Sequence, residues 1–166
     1  MYKVRAILDV EEDVIRTIIV NENLSLEKLH FDIAKAFGFD GKEMASFYKS
    51  DHEWNQGVEI PLFNMAEAGE ELSMSSCIIK ELLPNQNDKL IYVYDFLHMW
   101  TFYVEIIEMS NKITPETKVI LTVGDIPKEA PDKIFESDKV SNDFDDEFND
   151  MFNDFEDLDS LDLDNY

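Results

Sequence analysis

The chain has 166 residues, room for about one domain, and 45% of them are hydrophobic, enough for a core. Acidic residues outnumber basic ones 37 to 14, giving a formal charge of −23, and there is one cysteine. This balance excludes an internal disulfide and a multi-cysteine metal site, and it argues against general nucleic-acid binding, which needs clustered Lys and Arg to neutralise phosphates.

Residues 2–10 alternate. Tyr2, Val4, Ala6, Leu8 and Val10 share one face, and Lys3, Arg5 and Asp9 the other, which is the pattern of a half-buried strand. It is not the pattern of a signal peptide, and no later run approaches the length of a membrane span. The expected compartment is therefore the cytoplasm. Glu11-Glu12-Asp13 breaks the pattern. Val14–Val20 is β-branched on both faces, so a hairpin with the second strand more central is expected.

Ser25 can cap a helix, with Leu24 packing on Leu29. Leu26, Leu29, Ile33, Ala36 and Phe37 then form one stripe, and Gly38 suits the left-handed residue past a helix end. A short strand is expected over 44–49, and a loop containing Trp54 over 51–57. A second short strand at 58–63 carries Pro61, which suggests an edge. Residues 64–73 read as acidic and irregular, and 76–83 as a short helix containing Cys77. The clearest strand is Leu90–Phe96. A hairpin through Leu97-His98-Met99 joins it to a strand at 100–109. A last strand, Lys118–Val123, stops at Gly124.

The fold class implied is α+β: a mixed sheet with one main helix packed across it, grasp-like in outline, plus an acidic C-terminal tail. Residues 1–136 read as the folded domain and 137–166 as the tail. The tail holds twelve acids and one lysine. Within it Phe144, Phe148, Met151, Phe152, Phe155 and Leu158 fall at helical spacing between the acids. Two readings stay open: a solvated, disordered segment, or an amphipathic helix that folds on a basic, grooved partner.

The segments LSLEKLHFDIAKAFGF at 24–39 and DKLIYVYDFLHMWTFYVEI at 88–106 resemble the plasmid Ri-type open-reading-frame-three-like family. The likeness rests on His30, Tyr92, Tyr94, Asp95, Phe96 and Trp100 taken together. It implies an α+β fold and an origin linked to plasmids and mobile elements. Its members carry no established activity, although some bear a resolvase-like label. This chain departs from the family at Leu97-His98, where Gly-Asp is common. The resolvase label fails a physical test. Strand transfer needs a cluster of arginines around a phosphodiester, and only Arg5 and Arg16 are present.

No motif for a serine nucleophile or a phosphate-binding loop occurs. Asp95 beside His98 permits a small hydrolase, with Cys77 as a further candidate. The plainer reading of Asp95 is a turn residue accepting backbone N–H groups. His30, His52 and His98 come from a helix, a loop and a turn, a spacing that gives no support to a zinc site. The function expected is a non-enzymatic interaction module whose acidic tail binds a basic protein. The alternatives are a DNA-mimic inhibitor of a nucleic-acid-binding protein, and the Asp95/His98 hydrolase. No cofactor, no direct nucleic-acid contact and no membrane contact are expected.

Overall fold

In a computed structural model the chain divides after Pro131, and the described residues are 1–63 and 72–131. The tail residues named above lie outside them.

The elements run β1 (Tyr2–Leu8), β2 (Ile15–Val20), α1 (Leu26–Ala36), β3 (Ala45–Ser50), β4 (Gln56–Pro61), α2 (Ile79–Leu82), β5 (Lys89–Tyr94), β6 (Trp100–Met109) and β7 (Lys118–Val123). The strands form one seven-stranded sheet in the order β4-β3-β5-β6-β1-β2-β7. The class is α+β, but among the described residues every pairing is antiparallel rather than mixed. A parallel neighbour needs a crossover that returns beside its starting strand. Here α1 carries the chain from β2 to the far half of the sheet, and β1 meets β6 antiparallel, so the grasp-like outline does not hold. Nor is β2 the more central strand of the opening hairpin. The ten-residue β6 takes the free side of β1, leaving β2 one place from the edge.

The register lays residues in rows across the sheet. Ile60, Phe47, Tyr92, Phe102 and Leu8 stand directly opposite one another on successive strands. All five are at most 2% exposed. On the other face the row is Tyr48, Ile91, Tyr103, Ile7, Ile15 and Val123. Helix α1 lies over the first row, where Phe37 meets Phe102 at 4.6 Å between ring centres and Leu26, Leu29 and Ile33 are buried.

The ends of α1 follow from its sequence. The Lys28 N–H donates to Ser25 Oγ at 3.2 Å, a side-chain cap on an otherwise unpaired donor. At the other end the Phe39 N–H donates to the Ala34 carbonyl and the Gly38 N–H to that of Lys35, with Gly38 at φ +85°. This is the Schellman closure, which favours glycine at that position. The Arg16 guanidinium reinforces it. Nε donates to Ala36 O at 3.1 Å and Nη1 to Val123 O and Gly124 O, while the group lies 5.0 Å from the centre of the Phe37 ring. Arg16 thus ties the helix end to the last strand.

The helix expected over 76–83 is shorter. Met74–Ser76 form a single 3-10 turn and α2 begins at Ile79. Between them Cys77 and Ile78 are extended. The Leu26 N–H donates to Cys77 O, the Ile79 N–H donates to Leu24 O, and Ser25 bridges to Ile78. Hydrogen bonds to the entrance of α1 override the local helical pattern.

Leu29 is fully buried and Leu97 is 90% exposed. Leu29→Ala is expected to cost about 2–5 kcal/mol through lost burial and a residual cavity, and Leu97→Ala within about 0.5 kcal/mol of nothing. Urea denaturation of the two variants against the unmodified chain measures the contrast.

Candidate functional site

Four of the six motif residues named above converge. His30 on α1, Tyr92 and Tyr94 on β5, and Trp100 on β6 are all buried, and they gather beneath the loop that leaves α1. The His30 ring is held at both nitrogens. Nε2 lies 3.3 Å from Gly41 O and Nδ1 2.5 Å from Tyr92 Oη. A carbonyl only accepts, so Nε2 carries the proton, and because burial disfavours the charged ring, Nδ1 accepts from the Tyr92 hydroxyl. That makes His30 the neutral tautomer. Burial pushes its pKa below the ordinary histidine value, because the charged form would lose its hydration. Burial likewise raises the Tyr92 phenol well above its usual value, with the neighbouring Tyr94 adding to it.

The loop residues Phe39, Asp40 and Gly41 complete the cluster, and the sequence reading did not single them out as a site. Phe39 packs 5.0 Å from Tyr94 and 5.3 Å from Trp100, centre to centre. The Tyr94 hydroxyl donates to Asp40 Oδ1 at 3.1 Å and accepts the Glu43 N–H at 3.4 Å. Asp40 is held below the usual carboxylate range, first by the Lys42 N–H and then by Tyr94. Gly41 has φ +77°, and a Cβ there would stand 2.9 Å from the Phe31 ring. The paired glycines Gly38 and Gly41 were the sequence signal for this loop.

The other two motif residues lie at the β5–β6 turn. Asp95 has φ +60°. Its Oδ1 accepts the Leu97 N–H at 3.1 Å, and its Oδ2 lies 2.6 Å from His98 Nδ1. The Met99 N–H donates to its carbonyl. Asp95 is thus a turn-closing residue, as the plainer reading has it, and Phe96 is half exposed beside it. His98 is paired with Asp95, but its side chain is 62% exposed, while Cys77 is buried beside the entrance to α1. These three do not form one site. His52 is exposed in the turn at 51–55, which is shorter than the expected loop because β4 begins at Gln56. Among the described residues no group of three or more His, Cys, Asp or Glu could hold a metal ion, and no helix is long and apolar enough to cross a membrane.

Both arginines serve the fold. Arg16 binds carbonyls, as above. Arg5 and Lys89 both hold Glu105, with Arg5 Nε 2.8 Å from Oε1 and Lys89 Nζ 2.9 Å from Oε2. Burial works to raise the Glu105 pKa, and hydrogen bonds from Lys89 and Arg5 more than offset it, leaving the carboxylate below its ordinary value. A groove of about 580 Å³ runs between α1 and β7, lined by Lys28, Lys35, Pro115 and Val119 among others. Asp32 also lines it, and its carboxylate takes Lys28 on one oxygen and the Thr117 hydroxyl on the other.

With this geometry in view, the family model of plasmid pRiA4b ORF-3-like proteins matches residues 1–153. The chain belongs to that family. The buried cluster holds four of the six residues on which the family resemblance rests, His30, Tyr92, Tyr94 and Trp100. Among solved structures, the chain is similar to a protein of unknown function, MM3350 from Methanosarcina mazei Go1. The TM-score is 0.57 at 16% identity, covering 73% of this chain and 68% of that one. That likeness is one of fold. No curated protein matches the chain.

The neutral His30 makes stability depend on pH. Its folded pKa is depressed below 6.5, so the unfolded chain takes up a proton first as pH falls. The stability is full above about pH 6.5 and declines below it, before the carboxylates titrate. Urea midpoints should fall between pH 7.5 and 5.5 in a His98→Asn background, and a further His30→Gln change should flatten that slope. Tyr92→Phe, which leaves Nδ1 without its donor, should cost about 1–3 kcal/mol at neutral pH.

Proposed function

We propose that this protein is a non-enzymatic interaction module whose acidic, aromatic segment 137–166 engages a basic protein partner. The observation that carries the reading is a separation of roles along the chain. His30, Tyr92 and Tyr94 are buried against one another and Trp100 against Phe39, and both arginines hold backbone carbonyls or a carboxylate. Segment 137–166, by contrast, carries a net charge of −11 with four phenylalanines at helical spacing. Acidic residues interleaved with aromatics suit a ligand that folds on a grooved, positively charged surface. Charge supplies the steering and the phenylalanines supply the buried anchors.

Such binding is salt-sensitive, because exposed charges are screened beyond about 10 Å at 0.1 M salt. Affinity purification with the full chain should retain a basic protein at low salt and lose it at about 0.5 M. Deleting Ser137–Tyr166, with the fold checked by circular dichroism, should abolish capture. Phe148→Ala with Phe152→Ala should weaken it at unchanged charge. A partner held equally well by the deleted chain would rule the reading out.

A further inference from the structure

The two ends of the sheet are built differently. The outer strand β4 carries Gly57, Glu59 and Pro61 and has an irregular register against β3. Proline, charge and irregularity blunt a strand edge against further pairing. At the opposite end β7 reads KVILTV. It has no proline, no glycine and no carboxylate, and its one charge is Lys118. Val119, Ile120, Leu121 and Val123 are 37–49% exposed. Among the described residues β7 pairs with β2 on one side only, so its outer side offers backbone donors and acceptors that no described strand takes.

We infer that β7 pairs antiparallel with β7 of a second copy of this chain, joining two seven-stranded sheets through a two-fold axis. Charge selects this occupant. Each chain carries −23, so two copies approach most easily where carboxylates are absent, and residues 118–123 contain none. Register supports it as well. Thr17 faces Leu121 and Ile18 faces Val119, so Ile120 is an extra residue in β7. That irregularity puts Val119 and Thr122 on the same side of the sheet, since both line the groove beside α1. A two-fold centred between Ile120 and Leu121 then sets Val119 against Thr122 and Lys118 against Val123. Each pair shares a face, and no lysine meets a lysine. A two-fold interface of this kind is self-complementary. It also places the two α1–β7 grooves side by side, with Val119 and Thr122 of both copies along their shared floor.

A six-residue edge buries less than a standard interface, so the dimer is a weak one whose population rises with concentration. Salt screens the repulsion between two acidic bodies, so added salt strengthens this association. Salt weakens the partner binding proposed for residues 137–166, and the two proposals therefore stand or fall separately. Sedimentation equilibrium of the full chain, from micromolar to roughly millimolar concentration, should show monomer passing to dimer, more completely at high salt. Val119→Lys with Leu121→Lys alters exposed positions and places lysine on the edge. It should raise the dissociation constant roughly tenfold or more, although it lowers the net negative charge. Val58→Lys on β4, at a position 61% exposed, should leave association unchanged. A chain that is monomeric throughout, or a dimer that the β7 variant forms as readily as the unmodified chain, would overturn the inference.

Discussion

The contact between His30 and Tyr92 organises the molecule. It joins the helix to the middle of the sheet, and through Gly41 it fixes the loop between them. Each partner constrains the other. A buried imidazole needs a donor and an acceptor or it is left unsatisfied at a cost. Tyr92 sits in the row from Ile60 to Leu8, where a phenol oxygen needs the same. With both met, Phe47 and Phe102 pack on the Tyr92 ring and Phe31 and Tyr94 on the His30 ring, which opposes sliding of the helix along the sheet.

Electrostatics follow from scarcity. A chain with 37 acids and 14 lysines and arginines has few cations to distribute. Both arginines and Lys89 are used where a buried oxygen must be satisfied: the carbonyls around Arg16 and the Glu105 carboxylate. Lys28 does the same for Asp32. Arginine suits the first role because its fork of donors serves several acceptors at once. Among the described residues the three buried charged side chains, Arg16, Asp32 and Glu105, are thus all hydrogen-bonded.

Much of this was legible in the sequence where a pattern is local. Ser25 and Gly38 marked the ends of α1 because capping is a matter of one or two residues. The alternation of Leu90, Tyr92 and Tyr94 fixed the faces of β5. Asp95 was legible as a turn residue from its place between two strong strands. What a period of two cannot say is which strand lies beside which, so the antiparallel order and the place of β1 between β6 and β2 were out of reach. Cys77 and Ile78 misled for a related reason, since their extended form depends on hydrogen bonds to residues about fifty positions earlier. His30 and Tyr92 stood out as a pair of names but not as a contact. Phe39, Asp40 and Gly41 were overlooked because a loop reveals its purpose only once its neighbours are placed.

The place of β1 has a consequence for synthesis. Of the seven described strands it leaves the ribosome first, and it can zip to β2 almost at once. Its other neighbour, β6, begins at Trp100. At translation rates of roughly 5–20 residues per second, the nascent hairpin waits on the order of five to twenty seconds for that neighbour to emerge. During that interval a strand destined for the sheet's interior shows one open flank to solvent or to a chaperone. The earliest of these strands is among the last to be enclosed.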